Sequence, residues 1–142
     1  MATGELIEVR NPRSGEIDYR FQAPSDLELA TTLDRLRSAQ RIWAARPLAE
    51  RIEILRRWRG EWVARQGDIA RALSIDTGRY LIATSEVQSV TGMIDRWTNL
   101  VPTLAAEKEL RSATLPTISY RSQYVPYGLV GIISPWNFPV SL

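Results

Sequence analysis

Cysteine and histidine are both missing from this chain of 142 residues. No disulfide, zinc finger, Ser-His-Asp triad or thiol nucleophile can therefore be built from its own side chains. Lysine is nearly missing as well. Lys108 is the only one, so arginine carries the rest of the positive charge. With 18 basic against 16 acidic residues the net charge is +2. The sequence pI of about 9.3 reflects that small imbalance and no basic tail or block, which gives nucleic-acid binding little support. No apolar run approaches the ~20 residues that cross a bilayer. Residues 1–6 hold no charged start followed by an apolar stretch, so no secretory leader is expected. The expectation is a soluble, cytoplasmic protein without a metal site. No internal repeat or low-complexity segment interrupts it.

What is present suits a globular protein. Hydrophobic residues make up 44% and charged residues 24%, in a length that allows one domain with a real core. Leu6 to Arg10 reads as a short strand. Asn11-Pro12-Arg13-Ser14-Gly15 is turn chemistry, with proline setting φ and glycine free to take φ > 0. Residues 16–21 place Ile17, Tyr19 and Phe21 on one face and Glu16, Asp18 and Arg20 on the other, a half-buried strand that completes a hairpin. Ser25 is placed to cap a helix with Glu28 as its capping-box partner. Leu29, Leu33, Leu36, Gln40 and Trp43 give that helix one apolar stripe.

Pro47 starts a second helix with Leu48, Ile52, Leu55, Trp58 and Trp62 buried and its arginines solvated. Gly67 reads as its C-cap, and Asp68 as the N-cap of a short third helix carrying Ile69, Leu73 and Ile75. Asp76-Thr77-Gly78-Arg79 breaks the pattern. The spacing of Ile82, Glu86, Val90, Met93 and Trp97, widened by Val87 and Ile94, predicts a long helix over 81–100 that Pro102 ends. Residues 105–112 read as a polar surface connection. Residues 117–125 alternate Ile118, Tyr120, Ser122 and Tyr124 against Thr117, Ser119, Arg121 and Gln123, an antiparallel-type strand with one wet face.

The last stretch, Tyr127-Gly128-Leu129-Val130-Gly131-Ile132-Ile133-Ser134-Pro135-Trp136-Asn137-Phe138-Pro139, organises the rest. Leu129, Val130, Ile132 and Ile133 form a short apolar run, read as a strand buried on both faces of a helix-covered sheet. Ligands in such sheets bind beyond the carboxyl ends of the strands, where Pro135 to Pro139 lies. The two prolines make that segment a stiff bend carrying Trp136 and Asn137. A carboxamide there can aim N–H donors at a ligand, and an indole can wall it. The blander readings are a turn asparagine that satisfies backbone groups, a packed core tryptophan, and a plain strand end at Ile133, Ser134 and Pro135. Gly128-x-x-Gly131 is no GxGxxG fingerprint; its glycines read as allowing close strand packing.

Residues 126–139 match the pattern PxGxxGxIxPWNFP and closely resemble the aldehyde dehydrogenase superfamily. The Asn11-Pro12 to Gly15-Glu16 turn, the Trp43, Pro47, Arg51 spacing and the Asp76-Thr77-Gly78-Arg79 step ahead of Glu86 resemble it too. Arg79 stands where that family usually has lysine and Tyr80 where it has proline, and neither is expected to affect chemistry. The resemblance implies an α/β fold, here the N-terminal part of an aldehyde dehydrogenase fold and incomplete. Its parts would be a β-hairpin, a helical segment, an oligomerisation-type strand and the first strand of a Rossmann-like sheet. It implies three divisions: residues 1–113 as hairpin and helical part of the cofactor-binding domain, 114–126 as the bridging strand, and 127–142 as the start of the dinucleotide-binding sheet.

The resemblance further implies an NAD(P)-dependent oxidoreductase that converts an aldehyde to a carboxylate, with a homo-oligomer as its expected state. NAD or NADP would be bordered by Ile133, Ser134, Pro135, Trp136 and Asn137. Asn137 would be the catalytic residue, donating a hydrogen bond to the substrate oxygen. The family's cysteine nucleophile, glutamate base and ribose-binding lysine come later than the matched motif, so the 142-residue chain alone is expected to be inactive. The reading from another class is a non-catalytic helical module that docks on a partner subunit.

Overall fold

The structure, a computed structural model, describes residues 4–115 and 117–142. Residues 1–3, part of the start read as lacking a leader, and Pro116, in the expected bridging segment, lie outside the described residues. Strand β1 (Leu6–Arg10) pairs antiparallel with β2 (Ile17–Gln22), with a register shift between Val9 and Arg10. Ile7 faces Phe21 and Val9 faces Tyr19, while Glu8 faces Arg20 and binds its Nε at 2.9 Å. The alternation is therefore as the sequence implies. The turn closes on Asn11, whose Oδ1 accepts the Arg13 and Ser14 amides at 2.9 and 3.3 Å, with Gly15 at φ 78°. The apolar face is less covered than expected: Tyr19 and Phe21 are both exposed.

Helix α1 (Asp26–Ala45) opens with the expected capping box. The Ser25 amide and hydroxyl both donate to Glu28 Oε2, at 2.8 and 2.7 Å, and the Glu28 amide donates back to Ser25 Oγ at 3.3 Å. The Ser25 amide, and after it the Ser25 hydroxyl, hold the Glu28 carboxyl below its ordinary value. A carboxylate pKa lowered by folding gives stability that is complete above the unfolded value and fades as pH falls through the folded one. As the loss of an N-cap, Ser25→Ala is expected to cost about 1 kcal/mol at neutral pH. The cost should shrink when pH drops through the lowered Glu28 value, as followed by thermal unfolding. No residue of α1 is buried; of its stripe, Leu29 and Leu36 are exposed while Leu33, Gln40 and Trp43 are half-buried.

Helix α2 (Leu48–Thr77) runs without a break through Gly67 and Asp68, so the expected third helix is the second half of this one. The left-handed residue that stops it is Gly78, at φ 67°. Gly67 costs the helix about 1 kcal/mol relative to alanine. The turns around it are held by Trp62, Ile69, Ala70 and Leu73, which pack on the next helix. Helix α3 (Tyr80–Leu104) likewise passes through Pro102, where it was expected to stop. Proline's φ is helical, and only one backbone donor is lost. The Ala105 amide still closes the last turn on the Val101 carbonyl at 2.8 Å.

The core lies between α2 and α3. Ala83, Val87, Val90 and Ile94 are buried with Leu73 and Ile52. Trp62 Nε1 donates to the Val87 carbonyl at 2.9 Å, and Arg59 Nη2 to Asp95 Oδ2 at 2.8 Å. The buried face keeps Glu86, Val87, Val90 and Ile94 of the expected stripe and shifts only at its ends: Ile82 and Trp97 are exposed, whereas Ala83 and Thr98 are covered. The partner helix, not the apolar count, decides which stripe is inside.

Strand β3 (Lys108–Arg111) corrects the reading of 105–112 as a mere connection. It pairs antiparallel with β4 (Ser119–Ser122), Leu110 opposite Tyr120. The strand expected over 117–125 is thus narrower, because its ladder reaches only as far as β3. The expected buried strand over 129–133 pairs with nothing among the described residues, and Leu129, Val130, Ile132 and Ile133 are exposed. A strand needs partners for its N–H and C=O groups and cover for its faces, and neither is at hand here. Gly128 has φ 102° and Gly131 faces open space, so neither glycine serves a close strand contact among the described residues.

Candidate active site

The turn between α2 and α3 sets up the base of the corner at 135–139. Thr77 Oγ1 donates to the Leu73 carbonyl at 2.6 Å and accepts the Arg79 amide at 3.3 Å. Gly78 reverses the chain against Pro12 of the hairpin turn; a Cβ there would stand 3.3 Å from Pro12 Cγ. Arg79 then caps α3, and Glu86 follows about two turns along it. Glu86 is 3% exposed. Its Oε1 accepts the Val140 amide at 3.0 Å and the Ser141 hydroxyl at 3.4 Å, and its Oε2 lies 3.9 Å from Arg79 Nη1. The Arg79 guanidinium lies over the Phe138 ring, 4.6 Å from its centre. Val140 packs on the cluster of Leu73, Ala83 and Val87. Ser134 Oγ donates to the Leu142 carbonyl at 2.8 Å, closing the loop on itself.

The corner's exit is therefore pinned, while the residues expected to meet ligands face outward. Ile133 is fully exposed at 100% and Trp136 at 75%; Ser134, Pro135 and Asn137 are exposed too. The segment leading to them is not helical. Neighbourhood in sequence brings these five together, and no other described element closes over them. Two concavities lie elsewhere. One, of about 640 Å³, sits against α2 and α3 beside Arg13, Arg71, Ser74, Tyr80 and Gln88. The other, of about 690 Å³, lies where Gly4 and Gln22 meet the start of α1. No group of three or more metal-ligating side chains occurs among the described residues. No helix among them is long and apolar enough to cross a membrane.

Sequence reasoning placed Glu86 on the α3 stripe and gave Arg79 no role. The available signal was a carboxylate in register with Ile82 and Val90, a position where a charge must be paired.

The family model described as the aldehyde dehydrogenase family matches residues 1–142. The chain belongs to the aldehyde dehydrogenase family. PutA of Anabaena variabilis, a proposed aldehyde dehydrogenase, is 40% identical and superposes with a TM-score of 0.91 over 97% of this chain and 29% of its own. An NAD-dependent benzaldehyde dehydrogenase from Corynebacterium glutamicum is 25% identical, with a TM-score of 0.85 over 96% of this chain and 30% of its own. An NADP-dependent glyceraldehyde-3-phosphate dehydrogenase from Bacillus halodurans, at 24% identity and a TM-score of 0.83 over 97% of this chain and 30% of its own, shares the fold. The chain thus spans about 30% of the length of the solved structures it matches. The faces left open on the hairpin, α1 and residues 129–133 belong to that portion of an aldehyde dehydrogenase fold.

Proposed function

We propose that this chain supplies the N-terminal part of an NAD(P)-dependent aldehyde dehydrogenase that oxidises an aldehyde to a carboxylate in the cytoplasm. The observation that carries the reading is the proline-bracketed motif at 126–139. It ends in a corner tied to buried Glu86 at its exit, with Trp136 and Asn137 left uncovered. Residues 1–113 would form the hairpin and helical part of the cofactor-binding domain, 114–126 the bridge to a neighbouring subunit, and 127–142 the start of the dinucleotide sheet.

In this reading the carbonyl carbon of the aldehyde is attacked by a cysteine from residues outside this sequence, and charge gathers on the carbonyl oxygen. Asn137 donates a carboxamide N–H to that oxygen, an oxyanion-hole role. The backbone of Ile133, Ser134 and Pro135, open beside Gly131, and the uncovered indole of Trp136 fit one flat edge of a nicotinamide cofactor. NAD or NADP held along these residues would supply the hydride acceptor. Water then releases the acid. With no cysteine of its own, the 142-residue chain is expected to produce no reduced nicotinamide from aldehydes with either cofactor. Measurable turnover by the purified chain would refute this assignment of roles.

A second reading draws on the exposed Leu29 and Leu36 of α1 and on the exposed Leu110 and Tyr120 of the β3–β4 ribbon. These would suit a non-catalytic module docked on a partner subunit, and in the enzyme reading they would suit a homo-oligomer. The mass and sequence of the native polypeptide separate the two. A continuation with cysteine and glutamate motifs supports the enzyme; a stable product of 142 residues supports the module.

A further inference from the structure

Glu86 is the only buried charged side chain among the described residues. Helix packing does not call for it. Ala83, Val87, Val90 and Ile94 form the covered face of α3, and α2 meets that face through Trp62, Ile69, Ala70 and Leu73. A carboxylate taken out of water is costly unless it is hydrogen-bonded and paired. Every partner of this one belongs to the terminal corner or to the arginine that touches it. The Val140 amide and the Ser141 hydroxyl donate to Oε1 across 54 and 55 residues of chain, at 3.0 and 3.4 Å. Arg79 Nη1 stands 3.9 Å from Oε2, and the same guanidinium covers Phe138 at 4.6 Å. Both flanks of Pro139 are thereby held, the ring before it and the amide after it. Pro139 locks its φ, so few soft torsions separate those anchors from Asn137.

We propose that Glu86, seconded by Arg79, is a positioning residue for Asn137: a buried carboxylate on α3 that sets where the corner's carboxamide stands. The proposal rests on the reading of Asn137 as the oxyanion donor. Glu86 touches neither substrate nor cofactor in this scheme; it acts through the backbone of residues 138–140.

The test uses the native polypeptide that carries these residues together with a nucleophilic cysteine. Four variants are compared: E86L, E86Q, N137A and the double variant E86L/N137A. In E86L, hydrogen exchange of a peptide covering 138–142 should quicken by roughly tenfold or more, while peptides within 87–98 keep their protection. Its kcat should fall toward that of N137A, the double variant should be no worse than N137A alone, and the cofactor KM should hold. E86Q keeps an oxygen acceptor at the same reach and should restore most of both losses. If E86L retains protection of 138–142, or retains kcat while N137A loses it, the positioning role is overturned and the Asn137 reading stands. If N137A itself retains kcat, both fall together. Should E86L lower the soluble yield, R79Q replaces it. Removal of the arm over Phe138 should then lower kcat in the same direction, and an unchanged kcat overturns the proposal.

Discussion

On the proposed oxyanion-donor role, Asn137→Ala is expected to lower kcat for aldehyde oxidation by roughly 10²–10³, about 2.7–4 kcal/mol in the barrier, in a polypeptide that carries this corner together with a nucleophilic cysteine. The size follows from the charge that develops. The aldehyde oxygen is nearly neutral in the bound substrate and becomes an oxyanion only as the carbon–sulfur bond forms. A carboxamide N–H placed at that oxygen helps the transition state far more than the substrate, so kcat falls while KM moves little. Asn137 is exposed and lies outside the α2–α3 core, so the substitution should leave folding nearly untouched. Steady-state kinetics at saturating cofactor measure the effect, with the unfolding midpoint as control. An unchanged kcat returns Asn137 to the other role open to it, a turn asparagine between two prolines.

Local chemistry was legible in the sequence, and long-range partnership was not. The Ser25–Glu28 capping box forms as read because both partners lie within one turn. The hairpin register follows from its alternation, with Ile7 opposite Phe21 and Val9 opposite Tyr19. Gly67 reads as a stop because glycine often ends helices, but a glycine that caps a helix this way takes the left-handed conformation, and here that residue is Gly78. Lys108-Glu109-Leu110-Arg111 has no apolar alternation to mark it, and becomes a strand only through its ladder with Ser119–Ser122.

The run at 129–133 shows the converse. Its composition is that of a buried strand, yet composition cannot supply the neighbours that would make it one. For the corner, the motif announced Trp136 and Asn137. The hold of Glu86 on Val140 spans 54 residues, a separation that no local pattern marks.

Leu73→Ala is expected to cost about 2–5 kcal/mol of folding stability, the usual range for a buried leucine that leaves a cavity. Leu73 is 6% exposed and sits in one cluster with Ala83 and Val87, ringed by Trp62, Ile69, Ala70 and Val140. Few other side chains are buried, so little of the structure can settle into the gap. Small proteins lose roughly 1–3 kcal/mol per molar urea, so the midpoint should fall by on the order of 1–2 M. The same truncation on α1 makes the comparison informative. Leu29 is 48% exposed on a helix with no buried residue, and Leu29→Ala should stay within about 0.5 kcal/mol of the parent. A loss at Leu29 as large as at Leu73 would mean that the α1 stripe is covered in solution. If that loss shrinks on dilution, the cover is a second copy of the chain, because dilution removes an associating partner from the parent as well.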